Sequence, residues 1–247
     1  MHKGAANMQR TFGVWMRPES NALHARVSTT ASDDEGIDAS SPIPVGSWTH
    51  VALVKEGASL RLYVNGALDR EVTLAGTTVS NTGALAIGDD DWSDATACWL
   101  DDLRAYRRAL SGDEVALLGP DVDRDGMDDA WERGFADADP EDDIESEWDF
   151  HPGDDFDLDG VLNLDEYRLG LDLAACYALD GDGNDAGGNG LHASVTGALA
   201  AADRNGGAGG ALDFDGITGL LSVPDSAHIN GGVHGARTVS LWFRPDD

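Results

Sequence analysis

Two stretches of this chain hold the residues best suited to chemistry. They are DVDRDGMDDAWE, residues 121–132, and DFDLDGVLNLDE, residues 155–166, and each satisfies D-x-D-x-D-G-x5-E in full. Calcium takes roughly six to eight oxygen ligands in flexible geometry. A tight acidic loop supplies them from side chains at positions 1, 3 and 5, a backbone carbonyl at 7 and a bidentate glutamate at 12. In the first loop these are Asp121, Asp123, Asp125, Met127 and Glu132; in the second, Asp155, Asp157, Asp159, Val161 and Glu166. Position 9 falls on Asp129 and Asn163, which can bind directly or through water, while Gly126 and Gly160 permit the turn. Calcium is the expected cofactor. The competing reading is a disordered acidic linker, and two complete twelve-residue matches weigh against it.

Charge points the same way. The 247 residues carry 16 Lys and Arg against 46 Asp and Glu, a formal net charge of −30. That field excludes nucleic acid and anionic membrane surfaces as expected partners, and it repels itself unless cations screen it. Lysine occurs only at Lys3 and Lys55. No apolar run reaches the roughly 20 residues of a membrane span, so no membrane insertion is expected.

The loops divide the chain into three segments. Residues 1–119 carry short apolar runs separated by turn signals. In Ser59 to Val64, the residues Leu60, Leu62 and Val64 alternate with Ser59, Arg61 and Tyr63; Asn65-Gly66 then supplies the φ > 0 pair of a tight hairpin, with the next strand expected at Arg70 to Leu74. Ser111 and Glu114 form a capping box for a short helix stopped by Gly119 and Pro120. Residues 120–171 are Asp-rich and Gly-punctuated, and residues 172–247 return to short strands. The chain closes on ARTVSLWFRPDD, a strand pattern with no partner after it, so its sheet is expected at the other end of the sequence. TFGVWMRPES at 11–20 shares a W-x-R-P rhythm with this ending, and the two are read as different strands.

In rotated order, these segments resemble the LamG-like and concanavalin A-like jelly rolls of bacterial surface proteins. The opening motifs of such a domain match Tyr177 to Gly181, Asp185 through Asn189 to His192, Leu212 to Gly216 and Val239 to Trp242. Its later motifs match Lys3-Gly4, Phe12 to Trp15, Gly46 to Val51, Leu62 to Gly66 and Leu100 to Tyr106. The resemblance implies a mainly β sandwich split into a back half, residues 1–119, and a front half, residues 172–247, joined by a calcium-binding linker, residues 120–171. The linker resembles EF-hand or thrombospondin type 3 modules of extracellular proteins. It lacks the long entering helix of a sensor, which favours a structural strut over a switch.

The resemblance brings further candidates. Asp185, Asn189 and Asp102 are placed to hold another calcium inside the sandwich, or to serve turn chemistry. Cys98 and Cys176 fall on terminal strands that are neighbours in the family, so they form either a disulfide, implying an extracellular compartment, or two buried thiols. Trp48 and Trp242 are expected in the core; Trp92 and Trp99 either stack on a sugar ring or cover an apolar edge. The carboxylates of ESEWDF, residues 145–150, lie off any predicted strand, and no Ser-His-Asp set, phosphate loop or zinc motif emerges. No enzymatic activity is expected.

Three arrangements of the halves follow. Residues 172–247 of one subunit can complete residues 1–119 of the next, giving a head-to-tail extracellular filament of sandwich beads and calcium struts. Closure within one chain instead gives a circularly permuted monomer that recognises glycans or cell-surface components. A third arrangement places each half in a different domain of a longer tandem array.

Overall fold

The computed structural model describes residues 1–4, 10–17, 20–88, 97–118, 127, 132, 151–154, 162–164, 167, 173–230 and 237–246. Their strands pair antiparallel into two sheets. The first runs, edge to edge, β11 (Ser194–Thr196), β14 (Leu220–Val223), β8 (Leu85–Ile87), β1 (His2–Lys3), β2 (Phe12–Met16), β3 (Ala22–Val27) and β4 (Glu35–Pro42). The second runs β12 (Leu199–Ala202), β13 (Ala208–Asp215), β9 (Ala97–Tyr106), β15 (Arg237–Pro245), β5 (Thr49–Glu56), β6 (Ser59–Val64) and β7 (Ala67–Thr73), with β10 (Leu173–Tyr177) also paired to β9. The chain is mainly β, a two-sheet sandwich consistent with a concanavalin A-like fold.

Alternation builds the core. In β3 the side chains of Leu23, Ala25 and Val27 turn inward, while His24 and Arg26 stay partly exposed on the other face. The inward set from both sheets includes Phe12, Leu53, Leu62, Phe214, Leu221 and Leu241. β5 departs from simple alternation, being buried from Thr49 to Lys55. Val51 and Leu53 face the core, whereas Ala52 and Val54 join Tyr63, Tyr106 and Leu173 in a second cluster on the outer face. That cluster is roofed by Leu110, by Leu118 and by Val115 of the short helix α1 (Gly112–Leu117). The helix starts as expected: Ser111 accepts from the Glu114 amide and Glu114 accepts from the Ser111 amide.

Local turn chemistry follows the sequence closely. Asn65 and Gly66 adopt φ of 50° and 75°, the left-handed pair that a two-residue hairpin requires. The following strand starts at Ala67 rather than Arg70, because the pairing resumes directly after the turn.

The strands of the two halves pair with one another. β14 pairs with β8, β13 and β10 pair with β9, and β15 lies between β5 and β9. Residues 173–245 therefore complete both sheets begun by residues 2–106. Lys3, wholly buried on β1, adds a cross-link by donating to the Gly83 carbonyl and, at 2.9 Å, to Asp225 beyond β14.

Candidate functional site

Of the proposed ligands in the two acidic loops, the structure describes Met127, Glu132 and Asn163. Asp121, Asp123, Asp125, Asp129, Asp155, Asp157, Asp159, Val161 and Glu166 lie outside the described residues. All three described members are buried. A carboxylate removed from water is costly unless a cation or hydrogen bonds compensate it, so a fully buried Glu132 at position 12 suits a bidentate ligand. Asn163 is fixed by its backbone amide donating to the Asp154 carbonyl at 2.8 Å and by its Nδ2 donating to the His151 carbonyl at 2.9 Å. The oxygen-rich residue types and these burials fit calcium. Among the described residues, no group of three or more His, Cys, Asp or Glu side chains is arranged to hold a metal.

The acidic segment touches the sandwich at Tyr167. Its hydroxyl accepts from Arg104 Nη1 at 2.6 Å on β9, and the guanidinium carbon lies 6.0 Å from the ring centre. Around them a small cleft is lined by Asp101, Asp102, Arg104, Tyr167, Asp203 and Arg204, among others. A bulge explains how two consecutive carboxylates serve it. Between the pairs Ser240–Arg104 and Trp242–Asp101, β9 carries one extra residue, and Asp102 adopts φ of 50°. Arg204 then binds both, at 2.8 Å to Asp101 and 2.6 Å to Asp102. Burial, reinforced by the Asp102 charge and opposed by Arg204, pushes the Asp101 carboxyl up to about 7. Burial works against the Arg204 charge too, but Asp102 and Asp101 outweigh it and raise its pKa.

The further calcium candidates are engaged otherwise. Asp185 accepts three backbone amides, from Cys176 at 3.0 Å, Gly187 at 2.8 Å and Leu191 at 2.9 Å. Asn189 Nδ2 donates to the carbonyls of Leu173 and Ala174, both at 3.0 Å. These are the bonds of the turn reading, and Asp102 is turned toward Arg204 instead of joining them.

Both cysteines are free thiols. Cys98 stands opposite Phe214 and Pro245, whereas Cys176 stands opposite Arg104, six positions along β9. At about 3.3 Å per residue that is about 20 Å, far beyond the roughly 7 Å a disulfide spans. Cys98 also points into the core, where burial pushes its thiol up to about 12.

The tryptophans depart from expectation as well. Trp48 and Trp242 are half-buried on the outer side of the second sheet and belong to neither apolar cluster. Trp242 packs beside His50, with ring centres 5.4 Å apart, and under Arg204 at 5.3 Å. Trp99 meets Trp48 edge-on at 6.5 Å and is covered by the Arg244 guanidinium at 3.8 Å. Trp92 lies outside the described residues. Sequence reading missed Asp101, Arg104, Tyr167 and Arg204. The available signals were the Asp101-Asp102 pair inside a strand motif and an aromatic directly after the last ligand of the second loop.

Comparison with protein families finds a match over the strands that precede the acidic segment. Residues 2–116 match the model described as the concanavalin A-like lectin/glucanases superfamily. No curated protein and no solved structure matches the chain. The matched stretch runs from β1 through most of α1. The strands that complete the sandwich, β10 to β15, lie after the acidic segment in sequence and inside the two sheets in space.

Proposed function

We propose that this chain is an extracellular, calcium-binding structural or adhesive module whose sandwich closes on itself and whose acidic segment binds calcium at two loops. The observation that carries closure is the position of β15, hydrogen-bonded to β5 on one side and β9 on the other. A central strand supplied by the end of the chain cannot be left out without opening the sheet. Calcium is supported by the two complete loop motifs, by the burial of Glu132 and Asn163, and by a net charge of −30. An extracellular setting is supported by the lectin-type fold. The reading assigns no catalytic step. Among the described residues, no helix is long and apolar enough to cross a membrane.

A second reading, the head-to-tail filament, draws on the same pairings. The segment 173–245 meets its partners chiefly through strand ladders that an identical neighbour can form equally well. Light scattering with calcium titration separates the two. Closure gives a mass of 26.0 kDa at every concentration, and the calcium reading, common to both, gives uptake of two ions per chain. Mass growth with concentration and fibres in electron micrographs establish exchange instead. Glycan recognition at the outer face is tested by a sugar panel read through tryptophan fluorescence, where no response removes it.

A further inference from the structure

Lys55 and Arg237 stand directly opposite each other where β5 pairs with β15. They are 4% and 7% exposed. Both line a cavity of about 10 Å³ between the sheets, walled by Phe12 and Val27 from the first sheet and by Leu53 and Val239 from the second. Lys55 Nζ donates to the Gly57 carbonyl at 2.9 Å and Arg237 Nη1 to the Ile229 carbonyl at 3.4 Å. The Arg237 Nε–H is buried and has no acceptor among the described residues. No carboxylate among the described residues pairs with either cation. Like charges set opposite each other destabilise a sheet, and a buried charge without a counter-charge costs more still. Burial and the Arg237 charge accordingly lower the Lys55 pKa, and burial brings Arg237 down to about 10 from 12.5.

We propose that Lys55 and Arg237 form a binding site for one small monovalent anion of chloride size, held between the sheets at the seam of β5 and β15. The site stands apart from the acidic loops. Charge, donors and size select the ligand. Two buried cations repel each other until an anion is set between them. The ammonium keeps two N–H groups beyond the one given to Gly57, and the guanidinium keeps its Nε–H, all able to form charge-assisted bonds. Thr11 also lines the cavity, and its hydroxyl, which accepts from Asn81 Nδ2 at 2.7 Å, retains a proton to donate. Room for a single water-sized particle suits a halide and excludes sulfate or phosphate. Arg237 borders a second small cavity beside Arg107 and His228, which no carboxylate lines, so the surroundings are cationic in a chain of net charge −30. One cation comes from each strand, and the site exists only where β15 lies against β5. Anion binding and closure of the second sheet therefore favour each other.

Thermal melting of the full chain in sodium gluconate tests this, with chloride replacing gluconate at fixed sodium, fixed calcium and fixed pH. Screening of the carboxylates then stays constant while the anion changes from one too large for the cavity to one that fits. The wild-type midpoint should rise with chloride and level off at saturation, and bromide should act alike. Lys55→Met and Arg237→Met keep an apolar stem and remove the charge. Each should respond to chloride with an apparent affinity roughly 10- to 100-fold weaker. In gluconate alone, Lys55→Met should melt above the wild type, because an uncompensated buried charge is gone. Crystals of the wild type grown in bromide should show an anomalous peak between Lys55 and Arg237. A wild-type midpoint indifferent to chloride overturns the site, as does bromide absent from the cavity. Variants that respond to chloride as the wild type does place the effect elsewhere and overturn it too. The two wild-type measurements decide the matter even where a substituted chain fails to fold.

Discussion

His50 stands on β5 opposite Trp242, with its Nε2 2.6 Å from Ser240 Oγ and only 2% of the residue exposed. Burial, with the Arg104 and Arg204 charges adding to it, holds its pKa down to about 4 from 6.5. The folded state therefore prefers the neutral ring. The stability this contributes is fully present above pH 6.5 and is lost as pH falls toward 4, on the order of 3 kcal/mol across that window. Asp101 acts in the opposite sense. Its folded pKa is raised to about 7, so its contribution is present at acid pH and lost as pH rises through neutrality. Replacing His50 with Phe separates them: urea unfolding of His50→Phe should show a clearly smaller stability loss between pH 6.5 and 4 than the wild type. An unchanged acid-side slope sinks the assignment. At this scale the acidic loops stand out as a sequence motif, since the proposed ligands of each lie within twelve residues, and of those ligands only Met127, Glu132 and Asn163 are among the described residues. The Asp101, Arg204 and Tyr167 cluster was not legible, because its members come from a bulged strand, a turn and the acidic segment, which no local pattern brings together.

Elements repeat that division between local and distant causes. The Asn65-Gly66 turn and the capped start of α1 are set by neighbours in sequence and appear where the residues place them, whereas β7 begins three residues earlier than expected. The two W-x-R-P segments also separate as read, β2 lying in the first sheet and β15 in the second. Trp48 and Trp242 went the other way because an apolar side chain at a strand position has two faces to choose from, and the covering of the outer face by α1 and the charged cluster is non-local. The seam between the halves offers the sharpest element-scale prediction. Gly88, just after β8, has φ of 102°, and a Cβ there would lie 2.1 Å from the carbonyl oxygen of Gly219, just before β14. Gly88→Ala should cost more than about 2 kcal/mol, because backbone strain and a backbone clash coincide. Gly46→Ala, at φ of 70° with open space around it, should cost only about 1 kcal/mol. Equal midpoints in denaturant for the two variants contradict the β8–β14 register.

For the whole molecule, the decisive property is that the end of the chain forms the middle of a sheet. β15 pairs with β5 from Arg237 to Phe243 and with β9 from Thr238 to Pro245, and its Val239, Leu241 and Phe243 enter the main core. Ending the chain at residue 236 would leave two long strands with unpaired edges and an open core, a state that folded proteins avoid. The shortened chain should lose its cooperative thermal transition and bind a hydrophobic dye. A synthetic peptide of residues 237–247, added in excess, should restore the transition with a midpoint that rises with peptide concentration, because binding to the folded state stabilises it by mass action. The same restoration by a second, intact chain would show that the slot between β5 and β9 accepts a strand in trans, which is the contact a head-to-tail filament needs. A shortened chain that melts cooperatively at the wild-type midpoint without peptide would show that β15 is dispensable, and closure through it would have to be abandoned.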